Sequence, residues 1–219
     1  MARLLFEKKG NAVWISHLDL MRLFQRAFKR ADLPLKHTQG FNPRPTVSIA
    51  LPLSVGVASC CELLDFELDG ETVSNEEICR RLNATLVEGI KVLSVYDTGK
   101  KLKDLALLDC TVRMEYDAGV EEAAVEEIRL LFENPSLSVT KKSKNGPVEQ
   151  DIIPMIKRVC VTAADSHTVE LTALVCCQNP SLNPMQLVSA VEKFIPHRKP
   201  DHAVCVRNEI YDTKEKIFR

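Results

Sequence analysis

The sequence predicts an α+β protein built from two βαββαβ passes, and three observations carry that prediction. Short runs alternate apolar with polar residues, helical apolar stripes lie between those runs, and the same order of elements occurs twice. No repeat of the sequence itself accompanies the second pass, so the order of elements alone carries the duplication.

The first pass opens with an apolar run at residues 2–6 that reads as a strand, which residues 12–15 extend or pair with. Ser16 reads as a helix N-cap, with Asp19 placing negative charge in the first turn. Leu20, Phe24, Ala27, Phe28 and Ala31 then form one apolar stripe, and Pro34 stops the helix. Strands are expected at residues 46–51 and 61–68. In the second of these, Leu64, Phe66 and Leu68 alternate with Asp65, Glu67 and Asp69, as on a half-exposed sheet face. Ser74 and Glu77 form a capping box for a helix reaching about residue 86, and residues 90–96 make the last strand.

A polar bridge at residues 99–104 leads into the second pass. Cys110, Val112, Met114 and Tyr116 mark a strand, and Val120, Ala124, Ile128 and Leu131 mark a helix. A strand at residues 137–141 is followed by a turn or hairpin tip ending in Asn145-Gly146. Strands at 151–161 and 168–176, a helix capped by Asn183 with Pro184 at its first position, and a strand at 204–211 complete the pass. The expected architecture is two ferredoxin-like halves side by side, residues 1–98 and 104–219, with antiparallel sheets, helices on one face and an extra hairpin in the second half.

Composition excludes several classes of protein. With 45% apolar and 27% charged residues the chain can bury a core and is not a disordered polyelectrolyte. No apolar run approaches the ~20 residues of a membrane span. The first residues carry charges too closely spaced for a signal-peptide core, so a cytoplasmic protein is expected. The eight cysteines contain no Cys-x-x-Cys pair, which argues against a zinc ribbon or an iron–sulfur cluster. They are expected to pack reduced, as small hydrophobes. Neither a metal site nor a cofactor is expected on this chain.

Charge is distributed unevenly. Residues 1–56 hold nine Lys/Arg against Glu7, Asp19 and Asp32, a net +6, while the remaining residues carry −7. Such asymmetry suggests an anionic partner for one end, unless folding sets acidic surface beside the basic one. Arg22, Arg26, Lys29 and Arg30 share one helix face by their spacing. They suit either phosphate or carboxylate recognition, or an ordinary solvated face. In Gly40-Phe41-Asn42-Pro43-Arg44-Pro45, the glycine admits a positive φ and each proline pushes its predecessor toward extended backbone. A fixed aromatic beside a guanidinium suits base stacking or docking into a protein groove; the alternative is a structural turn with Phe41 buried as a plug. Together with Lys36, the binding set is Arg22, Arg26, Arg30, Lys36, Phe41, Asn42 and Arg44.

His17, Asp19 and His37 invite an acid–base or metal reading against a capping or hydrogen-bonding one, and His17 and His37 are the only catalytic candidates. His197 and His202, around Arg198 and Lys199, form a weaker cluster. No Gly-rich phosphate loop, Gly-x-Ser-x-Gly elbow or His-Glu-x-x-His motif is present.

Ser16-His17-Leu18-Asp19-Leu20-Met21-Arg22, Arg26, Arg30-Ala31-Asp32-Leu33-Pro34, the 40–45 loop and Ser48-Ile49-Ala50-Leu51-Pro52-Leu53-Ser54-Val55-Gly56 resemble the bacterial radical SAM-linked (radical SAM-associated) domain family of unknown function. The resemblance continues more weakly to Asp151-Ile152-Ile153-Pro154 and Asn183-Pro184. Members occur as a C-terminal extension of cobalamin-binding-type radical SAM proteins or as a separate chain encoded beside one. The resemblance therefore implies a separately encoded radical SAM partner, but it supplies no reaction. Similar sequences usually carry a second histidine in the loop where this chain has Arg44, which speaks against a metal or acid–base role there. The chain also lacks Cys-x-x-x-Cys-x-x-Cys, so it cannot hold the radical SAM cluster itself.

The expected function is an accessory or recognition protein for a radical SAM enzyme, with RNA as a possible ligand of the basic N-terminal surface. The alternatives are a stand-alone RNA-processing enzyme with a histidine acid or base, by fold analogy to CRISPR repeat-RNA endoribonucleases, and a structural protein-interaction domain.

Overall fold

The computed structural model describes residues 2–70, 72–143 and 146–219. The protein is a mixed α+β structure with four α-helices and mostly antiparallel sheet among the described residues. It divides into two compact units, Met1–Leu102 with Arg219, and Lys103–Phe218. No helix among the described residues is long and apolar enough to cross a membrane.

In the first unit, β1 (Ala2–Lys8) leads through a 3-10 turn (Gly10–Trp14) into α1 (His17–Arg30). β2 (Val47–Ile49), β3 (Ala58–Phe66), α2 (Asn75–Asn83) and β4 (Ile90–Asp97) follow. The strands lie in the order β4-β1-β3-β2, and each of these pairs is antiparallel. Leu4 therefore faces Leu64 on one side and Val95 on the other, while Ile49 faces Leu64. The stripe of α1 closes over this sheet. Phe6 meets Phe24 edge-on with ring centroids 4.7 Å apart, and Phe28 meets Phe66 at 5.0 Å, contacts that add to the area each ring buries. Ser16 caps α1 as its position suggests, accepting from the Asp19 N–H. Ser74 does the same for α2 through Glu77.

Two expectations fail in this unit. Residues 12–15 form no strand. Gly10 (φ +54) turns the chain, and the local bonds Ala12 N–H to Lys9 O and Ile15 N–H to Ala12 O wind it into a 3-10 turn. Gly89 (φ +85) lets the opposite loop approach, since a Cβ there would run into the Lys9 carbonyl. Asp65 is also not on a half-exposed face. It is 5% exposed and paired with Arg3, which is 0% exposed, through bonds of 2.5 and 3.0 Å. Both faces of β3 are buried, so alternation of residue type there marks two different interiors rather than core and solvent.

The second unit runs β5 (Leu105–Glu115), α3 (Glu122–Leu131), β6 (Ser138–Ser143), β7 (Gly146–Asp151), β8 (Ile156–Asp165), β9 (Thr168–Cys176), α4 (Met185–Phe194) and β10 (His202–Asp212). Its strands are ordered β10-β5-β9-β8, and β6 pairs with β7 as a separate hairpin. The expected Asn145-Gly146 tip lies partly outside the described residues. The strand expected at 151–161 is broken. The Asp151 carboxylate accepts from the N–H groups of Leu137 and Ile153, Pro154 has no N–H to give, and a 3-10 turn (Ile153–Met155) separates β7 from β8. α4 begins one residue later than expected, with Pro184 at the N-cap, and Asn183 just before it accepts from the Met185 N–H.

Arg198 ties the end of this unit to α3. It donates to Glu127 at 3.1 and 3.0 Å and to Glu121 at 2.8 Å, while His197 Nε2 lies 2.9 Å from Glu127. These contacts, Arg198 first, hold the Glu127 carboxyl at about 2 against an ordinary value of 4.5. Because the folded value is depressed, the contribution is complete above pH 4.5 and disappears as pH falls toward 2. Glu127→Gln is therefore expected to lower Tm relative to the parent at neutral pH. The gap should close across that acidic window, and a gap constant from pH 7 to pH 2 would refute the assignment.

Candidate functional site

The basic residues of the N-terminal region do not form the single face that their spacing suggested. Arg22, Arg26 and Arg30 line one groove of about 390 Å³, together with Asp19, Ile15, Leu23 and Val87. Lys29 lies on another flank of α1, in a separate pocket. Within the groove, Arg22 donates to Asp19 at 3.1 Å and Arg30 donates to the Thr85 carbonyl at 2.7 Å. The Ser16 hydroxyl, and after it Arg22, hold the Asp19 carboxyl below its usual range. The Arg26 side chain makes no hydrogen bond and no ion pair among the described residues, so its guanidinium stays available to a ligand.

The proline-rich loop is the tip of a tightly closed hairpin. Thr38 N–H donates to the Arg44 carbonyl at 2.8 Å, Arg44 N–H to the Thr38 hydroxyl at 3.0 Å, and Thr46 N–H to the Lys36 carbonyl at 2.7 Å. His37 and Pro45 form a bridge across its neck. Gly40 takes a φ of +126 at the turn. Phe41 is fully exposed, at 112% of its reference area, which removes the reading of a buried plug. Asn42 and Arg44 are exposed beside it, and the Arg44 guanidinium has no hydrogen bond or ion pair among the described residues. Lys36 is less available, since its ammonium lies 3.1 Å from Glu67.

His17 and His37 are not brought together. His17 opens α1 and is half-buried, with Nδ1 lacking a hydrogen-bond partner among the described residues, so it is neither the cap nor hydrogen-bonded through that atom. His37 stands beyond the other end of the helix, beside Lys29, which is roughly 18 Å from His17 along the axis. The structure thus does not bring the two histidines together for a joint metal or acid–base role. His197 is engaged with Glu127 in the other unit. No group of three or more His, Cys, Asp or Glu is placed to hold a metal among the described residues. The cysteines are free thiols; burial pushes Cys177 up to about 11.

The pocket on the Lys29 flank has little signature in the sequence beyond the basic Lys29 and His37. About 410 Å³ in volume, it is walled by Phe28, Leu33, Pro34, Leu35 and Pro45, with Gln25, Lys29, Asp32 and His37 supplying polar groups. It therefore joins the C-terminal end of α1 to the neck of the hairpin. Elsewhere on the surface, Trp14 (68% exposed) packs beside Gly56, next to exposed Val55, and Leu18 is exposed in the first turn of α1.

Fold and site together define an α+β protein with exposed cationic and aromatic side chains on its N-terminal unit. The chain belongs to the family described as "Uncharacterized protein conserved in bacteria (DUF2344)", which matches residues 2–184. No curated protein matches it by sequence. Among solved structures it is similar to a chain from the crystal structure of a Cbf5-Nop10-Gar1 complex. That match has 9% identity and a TM-score of 0.54, and covers 95% of this chain and 48% of that one. This chain thus spans about half the length of that relative, and the likeness is one of fold. A chain from the crystal structure of an unknown protein from Galdieria sulphuraria aligns over 94% of this chain and 96% of its own at 10% identity, but with a TM-score of only 0.26.

Proposed function

We propose that this protein is an accessory recognition subunit that binds single-stranded RNA through α1 and the 36–44 hairpin, and works with a separately encoded radical SAM enzyme. The observation that carries the RNA part is the hairpin tip, which holds an aromatic ring wholly in solvent, with an exposed guanidinium three residues further along the same loop. A base can stack on such a ring while cations track the backbone. Arg22, Arg26 and Arg30 extend the cationic path along the helix. The radical SAM partner rests on the resemblance in the N-terminal motifs and on the missing three-cysteine motif. The structural likeness to one component of a multi-protein complex is in keeping with a chain that acts alongside others. In this reading each unit is a ferredoxin-like half, since the orders β4-β1-β3-β2 and β10-β5-β9-β8 follow the same scheme, with the β6–β7 hairpin as the addition.

A second reading, docking of an apolar protein segment, is favoured by exposed Trp14, Leu18 and Val55. Affinity capture from a bacterial lysate, with and without nuclease, separates the two. The proposal expects RNA in the eluate and a radical SAM protein that survives nuclease treatment. Capture of neither would sink it.

A further inference from the structure

The pocket beside the hairpin neck contains a residue that breaks two local rules of helix termination. Helix α1 ends in a Schellman motif, with the Leu33 N–H bonded to the Phe28 carbonyl at 3.0 Å and the Asp32 N–H to the Lys29 carbonyl at 3.3 Å. The residue in the left-handed position is Asp32 (φ +53), where glycine is the usual choice. Its carboxylate also sits at the negative end of the helix dipole, where a cation would be stabilising. Neither cost is repaid internally, because the Asp32 carboxylate makes no hydrogen bond or ion pair among the described residues. Local rules that are broken without an internal return are characteristic of functional positions.

The surroundings define the kind of ligand. Exposed Pro34 and half-buried Pro45 give the pocket apolar walls over a floor of buried Phe28, Leu33 and Leu35, and the side chains of Gln25, Lys29 and His37 likewise have no hydrogen bond or ion pair among the described residues. An apolar cavity with a few convergent polar groups is the usual form of a small-molecule site, and about 410 Å³ is ample for a nucleotide.

We propose that this pocket takes up one unstacked nucleobase of the bound strand, with the Asp32 carboxylate accepting from the base and Lys29 meeting the neighbouring phosphate. Guanine is the preferred base, because its Watson–Crick edge sets two donors, N1–H and the N2 amino group, side by side for the two carboxylate oxygens. Uracil offers a single donor between two carbonyl oxygens, which a carboxylate repels. The inference rests on the RNA reading above and names the part of the strand that is recognised.

The test is calorimetric titration of the full chain with the four 5′-nucleoside monophosphates, alongside binding of a short single-stranded oligonucleotide. GMP should bind saturably and about tenfold more tightly than UMP. Asp32→Asn, which tolerates the same backbone conformation, should erase that preference while leaving the salt dependence of oligonucleotide binding unchanged. Asp32→Gly should lose the preference and keep or raise Tm, which separates loss of recognition from loss of folding. Equal affinity for GMP and UMP in the parent, or unchanged GMP binding in Asp32→Asn, would overturn the pocket even with oligonucleotide binding intact. Oligonucleotide binding that is absent while GMP still binds would sink the RNA reading and leave the pocket a nucleotide site.

Discussion

Single-stranded RNA is expected to lose about a hundredfold in affinity when salt rises from about 50 to about 200 mM, as the cations of the N-terminal unit give up their contacts. Arg22, Arg26 and Arg30 in one groove, Lys29 in another pocket and Arg44 on the hairpin are five cations open to a strand. At roughly 0.7 per contact on single strands they predict a slope of log K against log salt of about −3.5. Removing Arg26 and Arg44 together should flatten that slope by about 1.4. Phe41→Ala should behave differently. It removes a stacking platform worth about 1–3 kcal/mol per base and should weaken binding at every salt concentration without changing the slope. Filter binding across a salt series reads both effects. A slope near zero in the parent protein would exclude nucleic acid as the ligand of this surface.

Replacing Asp65 with alanine is expected to destabilise the protein by about 3–5 kcal/mol, because it removes the carboxylate that forms a two-bond ion pair with the buried Arg3 guanidinium. Arg3 is wholly inaccessible, and one of its other bonds goes to the Lys100 carbonyl at 3.0 Å, so it cannot reach water without breaking local structure. The double variant Arg3→Met/Asp65→Leu, which replaces the pair with apolar volume, should lie much closer to the parent than Asp65→Ala does. Denaturant midpoints at constant m-value distinguish the two. A single variant within about 1 kcal/mol of the parent would show that Arg3 finds other compensation.

What the sequence disclosed and what it hid follow one physical division. Features set by neighbours in the chain were legible. The Ser16 and Ser74 caps, the α1 stripe from Leu20 to Phe28, and the conformations of Gly40 and its prolines depend on local sterics and hydrogen bonds. The distance from His17 to Lys29 was equally available from helix rise, but the placement of His37 beside Lys29 depends on how the chain folds after Pro34. Features set by packing were not legible. The alternation around Asp65 reads as half-exposed until a second buried layer and Arg3 are seen. Lys29 lines one pocket with Pro45 while Arg22, Arg26 and Arg30 line another with Val87, a division that residue spacing on the helix does not show. The pocket itself left a faint trace, an acid placed after a helix and two residues before Pro34 where a glycine would terminate it better.

The left-handed backbone at Asp32 also limits how the protein can diverge. Few residues other than glycine, asparagine and aspartate hold that conformation at tolerable cost, so drift at this position samples a very short alphabet. Gln25 and His37 stand on ordinary backbone and are free to vary. Relatives with different ligand preferences should therefore differ at those two rim positions, with the residue after the helix confined to a choice between an acceptor and no side chain at all.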